Sequence, residues 1–143
     1  MTSNLNIQEL LSALDNDEHS NLLNTSYEKI AKDKNDILQQ LQFTSEKLKL
    51  YHTKLKDYRY VDELNDLKYG QYVRWINIRN PDKLNLTNGG IFLDIKLLDN
   101  GTHIMIKNNI NRVFQIKMDE CILFQKLSDQ EKIILLALKY LNN

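Results

Sequence analysis

One stretch of the chain, residues 23–58, contains neither glycine nor proline and carries a heptad repeat. Apolar residues recur at alternating intervals of three and four, which is typical of a helix that buries a narrow seam against another helix. At about 1.5 Å per residue such a helix would be about 54 Å long, which exceeds the core of a small globule. We therefore expect it to project from the protein or to pair with another helix.

The predicted seam is formed by the a and d positions of this repeat. Lys34 occupies an a position, where a charged residue weakens a two-stranded coiled coil while fixing its register. The seam residues are Leu23, Tyr27, Ile30, Lys34, Ile37, Leu41, Thr44, Leu48, Tyr51, Leu55 and Tyr58.

The charged residues beside the seam indicate which kind of partner helix it would accept. Lys47 and Lys54 fall at g positions, and His52 and Arg59 fall at e positions. A parallel homodimer would oppose these like charges at a cost of a few tenths of a kcal/mol each. This pattern favours a heterotypic, antiparallel or trimeric partner over a parallel dimer. A second interpretation also stands, in which the helix folds back on the rest of its own chain.

Two shorter amphipathic segments lie at the ends of the chain. In residues 1–20, apolar side chains at i, i+3, i+4 and i+7 predict a short helix that must dock to be stable, followed by an acidic loop. In residues 128–143, Ser128 and Glu131 form a capping box before a helix that is apolar around most of its circumference. We expect this C-terminal amphipathic helix to pack on the β-rich part. The N-terminal apolar residues are Ile7, Leu10, Leu11 and Leu14.

Residues 67–127, here called the β module, change to the period of two that β-strands show. Alternating residues predict strands at 72–79, 91–98, 102–107, 113–118 and 121–125, the second with Ile91, Leu93, Ile95 and Leu97 on one face. Residues 99–101, Asp-Asn-Gly, predict a hairpin with a type I′ turn. Five short strands joined by turns favour a small antiparallel β-barrel or a strongly bent sheet of the SH3-like kind.

The sequence therefore predicts an α+β protein with four parts. Residues 1–20 form the short helix and acidic loop, and residues 21–66 contain the long coiled-coil-like helix. Residues 67–127 form the β module, and residues 128–143 form the C-terminal helix.

No constellation of residues indicates catalysis, a metal site or a cofactor. The three histidines have no paired spacing, and Cys121 follows Asp119 and Glu120, which would raise the pKa of its thiol. The Gly89-Gly90 pair lacks the Lys-Ser/Thr of a phosphate-binding loop. We therefore expect a protein that is not an enzyme and needs no cofactor.

Nucleic-acid binding is the alternative function. Basic residues next to aromatic ones can hold phosphates and stack bases. Residues 70–127 carry eight Lys or Arg against five Asp or Glu, although the whole chain has a formal net charge of zero. The candidate contacts are Lys47, Lys49, Lys54, Lys56, Arg59, Arg74 and Trp75.

The cellular class follows from what the chain lacks. A single cysteine cannot form an internal disulfide, and we find neither a signal peptide nor a run of about 18 apolar residues. An intracellular protein without a membrane span is the expectation.

Three segments of the β module carry a resemblance to known proteins: LKYGQYVRWI at 67–76, LTNGGI at 86–91 and ILFQK at 122–126. They resemble a pattern in small proteins of nucleocytoplasmic large DNA viruses. The resemblance implies a virus-encoded accessory or virion component and transfers no catalytic residue. Together with the seam, it favours a non-enzymatic assembly or adaptor protein. Such a protein would bind itself or a partner through the helix and present the β module for recognition.

Overall fold

A computed structural model describes residues 25–141 and shows an α+β fold with helices on an antiparallel sheet. The described part contains three α-helices and six strands, with single turns of 3-10 helix at Leu64–Asp66 and Met118–Glu120. The helices are α1 (Tyr27–Gln40), α2 (Ser45–Lys54) and α3 (Asp129–Leu141). The strands are β1 (Tyr58–Val61), β2 (Tyr72–Asn77), β3 (Gly90–Leu98), β4 (Gly101–Lys107), β5 (Val113–Lys117) and β6 (Cys121–Lys126).

The single long helix predicted for residues 23–58 is wrong over its described part. Helix α1 ends at Gln40, and Gln42 takes a left-handed φ of 57° that breaks the helical path. Thr44, a predicted seam residue, instead caps α2 because its side chain accepts a hydrogen bond from the Lys47 backbone N–H at 3.3 Å. Leu23 and residues 1–20, with their predicted helix, lie outside the described residues.

All five predicted strands are present, and a sixth strand arises where helix was expected. The spatial order is β1-β6-β2-β3-β4-β5, with every neighbouring pair antiparallel. The sheet is not closed into a barrel, so that part of the prediction is wrong. Strand β1 adds to the sheet beside β6, which leaves β1 and β5 as two separate edges.

The central strands β2 and β6 are buried on both faces. On one face, Val73, Trp75 and Leu123 pack inside the β module with residues of β3 and β4. On the other face, Ile76 and Phe124 pack beneath α1 and α2. The hairpin of α1 and α2 is therefore a second layer on the sheet, and its apolar side is used within the chain.

Helix α3 packs against α1 through Ile134 and Leu135, which form a third cluster with Ile30 and Leu127. Its predicted capping box is confirmed. Glu131 accepts a hydrogen bond from the Ser128 backbone N–H at 3.0 Å, and Ser128 Oγ accepts one from the Glu131 N–H at 3.1 Å.

The β3–β4 hairpin is present, but its turn is not type I′. Leu98 pairs with Gly101, which leaves Asp99 and Asn100 as the loop residues. Among the described residues, positive φ at non-glycine positions occurs only at Gln42 and Asn111, so Asn100 lacks the positive φ of a type I′ turn. Gly101, with a φ of 131°, absorbs the left-handed conformation instead.

Lys34 fixes the return of the chain from α2 into β1. Its buried ammonium donates hydrogen bonds to the carbonyl oxygens of Leu55 at 2.8 Å, Tyr58 at 3.0 Å and Lys56 at 3.5 Å. A cation suits this place because three carbonyl oxygens converge on it just after the C-terminus of α2, where the helix dipole adds partial negative charge. Burial lowers the pKa of Lys34 below its ordinary value, and Asp57 partly opposes this.

Replacing Lys34 by Met should lower the free energy of unfolding by about 2 kcal/mol, because buried carbonyls lose a charged donor. Urea unfolding measures this change. Lys32→Met is the matched control on the same helix, since Lys32 is exposed and forms a surface ion pair with Asp36 at i+4. An equal loss in both variants would contradict the role given to Lys34.

His52 should make stability fall on acidification. Burial, and then the charge of Lys34, lower the pKa of His52 below its ordinary 6.5, so the fold favours the neutral ring. Above pH 6.5 the ring is neutral in both the folded and the unfolded chain, so it does not change the free energy of unfolding. As the pH falls below 6.5, the unfolded chain is protonated first, and the free energy of unfolding decreases. Urea unfolding at about pH 7.5 and about pH 5.5 tests this. His52→Gln should lose less stability between them than the unsubstituted protein.

Candidate functional site

The predicted partner seam is turned into the protein's own core. Ile30, Tyr51, Leu55 and Tyr58 are buried together with Lys34. Ile37, Leu41 and Leu48 are half-buried against the sheet, and Tyr27 packs against the cluster that joins α1 to α3. Within residues 25–58, this seam therefore presents no continuous apolar stripe to a partner helix.

The predicted nucleic-acid contacts are not brought together on one surface. Trp75 is buried edge-on to Phe114, with ring centroids 6.1 Å apart, and so cannot stack on a base. Arg74 donates a hydrogen bond to the Thr87 carbonyl at 2.9 Å. Lys47 bonds the Leu84 carbonyl at 2.9 Å and lies over the rings of Phe43 and Tyr51. Of the predicted set, the side chains that remain exposed are Lys49, Lys54 and Lys56.

Arg59, also in that set, belongs to a buried charge cluster around Glu131. The carboxylate of Glu131 is fully buried, 3.3 Å from Lys68 Nζ and 4.0 Å from Arg59 Nε. Arg59 also donates a hydrogen bond from Nη2 to the Asp66 carbonyl at 3.0 Å. This cluster ties the start of α3 to β1 and to the segment before β2.

Gln125, in strand β6, adds an uncharged side chain to this polar cluster. Its fully buried amide accepts a hydrogen bond from the Lys68 N–H at 2.7 Å and donates one to the Asp66 carbonyl at 3.0 Å. Each polar end of this side chain is therefore paired, as burial requires. The contacts hold the segment between β1 and β2 in place, which makes the cluster structural in its geometry.

Glu131→Gln should lower the free energy of unfolding by about 3 kcal/mol, because it leaves Arg59 and Lys68 without a buried counter-charge. Ser128→Ala is the control: it removes the hydroxyl of the capping box and should cost only about 1 kcal/mol. Chemical unfolding of both variants separates the two contributions. Because Gln keeps the acceptor of the capping box, a loss for Glu131→Gln no larger than that for Ser128→Ala would contradict the role given to the buried counter-charge.

Cys121 has the environment of an inert thiol. Burial, followed by the charges of Glu120 and Asp119, raises its pKa to about 11. The reactive thiolate is therefore scarce at neutral pH. Across residues 25–141, no group of three or more His, Cys, Asp or Glu could hold a metal ion.

A groove of about 720 Å³ lies between α1 and the segment that begins with β1. Its walls are acidic, but Asp33 and Asp36 are paired with Lys29 at 2.7 Å and Lys32 at 2.8 Å. A second cavity of about 580 Å³ lies between β6 and the start of β4, beside Cys121. Neither cavity combines a nucleophile with a base in the way that catalysis requires.

The most distinctive surface is the outer side of β3, β4 and β5, away from the core. Ile91 pairs with Lys107, and Lys107 pairs with Val113, so these side chains form one row across the three strands. Val113 is 48% exposed and Ile110, in the β4–β5 turn, is 75% exposed. We call Ile91, Leu93, Ile110 and Val113 the outer patch.

A β-bulge at Leu93 helps to create the outer patch. The register shifts between Phe92 and Asp94, so one extra residue lies opposite the partner strand. Phe92 and Ile95 consequently pack into the core, while Ile91 and Leu93 are exposed. The predicted single face of Ile91, Leu93, Ile95 and Leu97 is therefore wrong, because alternation does not continue through a bulge.

The outer patch continues to an open sheet edge. In the described sheet, β5 pairs with β4 on one side only. Arg112, at the start of this edge, stacks over Phe114 with its guanidinium carbon 5.2 Å from the ring centroid. An open strand edge beside exposed apolar side chains can accept another extended chain.

The chain was compared with protein families, curated proteins and solved structures. No protein-family model, curated protein or solved structure matches the chain. The resemblance to viral proteins stays a prediction. None of the helices in the described part has both the length and the apolar character to cross a membrane.

Proposed function

We propose that the protein is a non-enzymatic assembly or adaptor protein that binds a protein partner through the outer patch and the edge of β5. The observation that carries the proposal is the row Ile91, Lys107 and Val113, which ends at an unpaired strand edge. The partner supplies an extended segment that pairs with β5 and apolar side chains that cover the patch. The partner is a second copy or another protein.

The sheet replaces the helix as the binding element. Oligomerisation through residues 23–58 would require the seam, and its buried members would have to leave the core to take part. The residues of the outer patch need no such rearrangement, because they are already exposed. Removing their apolar surface from water on binding is favourable.

The nucleic-acid alternative has less support. Its aromatic member Trp75 is buried, and Lys47 and Arg59 have partners within the chain. Exposed Lys49, Lys54 and Lys56 remain as a weak phosphate-binding group whose affinity would fall steeply with salt. The role as an intracellular virion or accessory component rests on the sequence resemblance of residues 67–76, 86–91 and 122–126.

Ile110→Glu should weaken partner binding at least about tenfold, which corresponds to about 1.4 kcal/mol, because it places a charge in the apolar contact. Stability should change by less than about 0.5 kcal/mol, since the side chain is largely exposed. Light scattering gives the molar mass of the purified full chain, and affinity capture from native lysate gives other partners.

Leu97→Glu is the matched control, because Leu97 is also 75% exposed but lies at the far end of β3, beside the β3–β4 turn. It should leave the molar mass and the captured proteins unchanged. A monomeric protein whose captured proteins are the same in both variants would overturn the proposal.

A further inference from the structure

Alternate residues of β5 turn their backbone groups away from the rest of the described sheet. In the β4–β5 turn, the Asn108 N–H donates a hydrogen bond to the Arg112 carbonyl at 2.9 Å, which marks these two residues as a hydrogen-bonded pair. Hydrogen-bonded and non-hydrogen-bonded pairs alternate along an antiparallel ladder, so Phe114 and Ile116 bond to β4. The residues whose N–H and C=O groups point to the open edge are Val113, Gln115 and Lys117.

These outward groups are arranged symmetrically about Gln115. When a second copy of β5 lies antiparallel with the two Gln115 residues opposite each other, Val113 lies opposite Lys117 of that copy. Each such pair joins two residues whose N–H and C=O groups both face the shared edge, so each pair is of the hydrogen-bonded kind. In this register, every outward backbone group of β5 has a partner on the second copy.

The side chains on both faces of β5 also match in this register. On the core side, Phe114 would lie opposite Ile116 of the second copy, and both residues are only partly buried against the β-module core. On the outer side, the aliphatic stem of Lys117 from the second copy would lie beside Val113, which is 48% exposed. Pairing therefore removes apolar surface from water at one end of the outer patch.

Charge complementarity favours the antiparallel orientation. The basic residue Arg112 immediately precedes β5, and the acidic 3-10 turn Met118–Glu120 immediately follows it. In this turn, the side chain of Asp119 is 72% exposed and lies 3.8 Å from Lys117 Nζ of its own chain. Antiparallel pairing brings Arg112 of each copy beside the acidic turn of the other, and opposite charges on neighbouring strands stabilise a sheet.

The other edge of the described sheet, β1, offers fewer backbone groups to a second copy. The Leu127 N–H donates a hydrogen bond to the Asp57 carbonyl at 2.8 Å, so by the same alternation β1 turns the backbone groups of Tyr58 outward. Both groups are already used, because the Tyr58 N–H donates to the Leu55 carbonyl and the Tyr58 carbonyl accepts from Lys34, each at 3.0 Å. A head-to-tail contact of β5 with β1 would therefore leave outward groups of β5 without partners.

We propose that the partner at the edge of β5 is a second copy of this chain, which pairs antiparallel about a two-fold axis at Gln115 and joins two six-stranded sheets into one. Because both copies use the same edge, the dimer is closed and does not extend into a fibre. This inference rests on the proposed function, since it names the partner of the same strand edge.

Disulfide trapping of the purified full chain tests the register. Gln115→Cys places two thiols opposite each other across the axis, so mild oxidation should give a covalent dimer on a non-reducing gel. Val113→Cys is the matched control on the same strand, because the two Val113 residues would lie about 13 Å apart along the edge and should not cross-link. Native Cys121 is buried with a raised thiol pKa and does not compete. Cross-linking that is equal in the two variants, or absent from Gln115→Cys, contradicts the proposal.

Light scattering over a range of protein concentrations provides a second measurement. The unsubstituted chain should reach twice the mass of one chain. Gln115→Pro removes an N–H that faces away from β4, so it should raise the dissociation constant of the dimer at least about tenfold while leaving the β4–β5 ladder intact. Gln115→Ala keeps this N–H and should leave the dissociation constant nearly unchanged. Both variants lose the side-chain hydrogen bond of Gln115 to His103, which therefore cannot explain a difference between them.

Dimerisation and the proposed function fail in different ways. An unsubstituted chain that stays monomeric, or an equal dissociation constant for Gln115→Pro and Gln115→Ala, overturns pairing through β5. The proposed function survives that result if affinity capture recovers another protein that Ile110→Glu loses and Leu97→Glu keeps. If no such protein is recovered from a monomeric chain, both the dimer and the proposed function are wrong.

Discussion

The structure depends on the buried ammonium of Lys34. It collects the carbonyls of Leu55, Lys56 and Tyr58 at the point where helix α2 gives way to strand β1. Because the chain reverses there, α1 and α2 lie on the sheet as a hairpin and β1 pairs with β6. A charge that would weaken a coiled-coil seam instead stabilises the junction after a helix, since converging carbonyl oxygens at the negative end of the helix dipole favour a cation.

Because β2 and β6 are buried on both faces, the exposed large apolar residues of the strands lie in β3 and β5. Strands β2 and β6 contribute alternate residues to the β-module core and to the core under the helices. In the described part, no α-helix belongs to the core cluster that β3 to β5 join, and Ile91, Leu93 and Val113 on these strands are exposed. The outer patch is thus exposed because the α-helices cover only part of the width of the sheet. It supports our proposal of a protein-binding function.

The charged cluster around Glu131 shows how one residue can serve two levels of structure. Its carboxylate completes a local capping box with Ser128 and, at the same time, neutralises Arg59 and Lys68 from distant segments. The local part was readable from the spacing of Ser128 and Glu131. The distant part was not, because Arg59 and Lys68 acquire a common partner only when the strands assemble; from the sequence, Arg59 is predicted to contact nucleic acid.

The sequence by itself determined the local elements: the five strands at 72–125, the β3–β4 hairpin and the start of α3, because period-two alternation, turn residues and caps act over a few neighbouring residues. Tertiary structure alone decided that residues 23–58 break at Gln42, that Tyr58 begins a strand and that Leu93 forms a bulge. A heptad stripe specifies that one side of a helix is buried but not what buries it. Here the sheet of the same chain supplies that surface, and packing outweighs helix propensity.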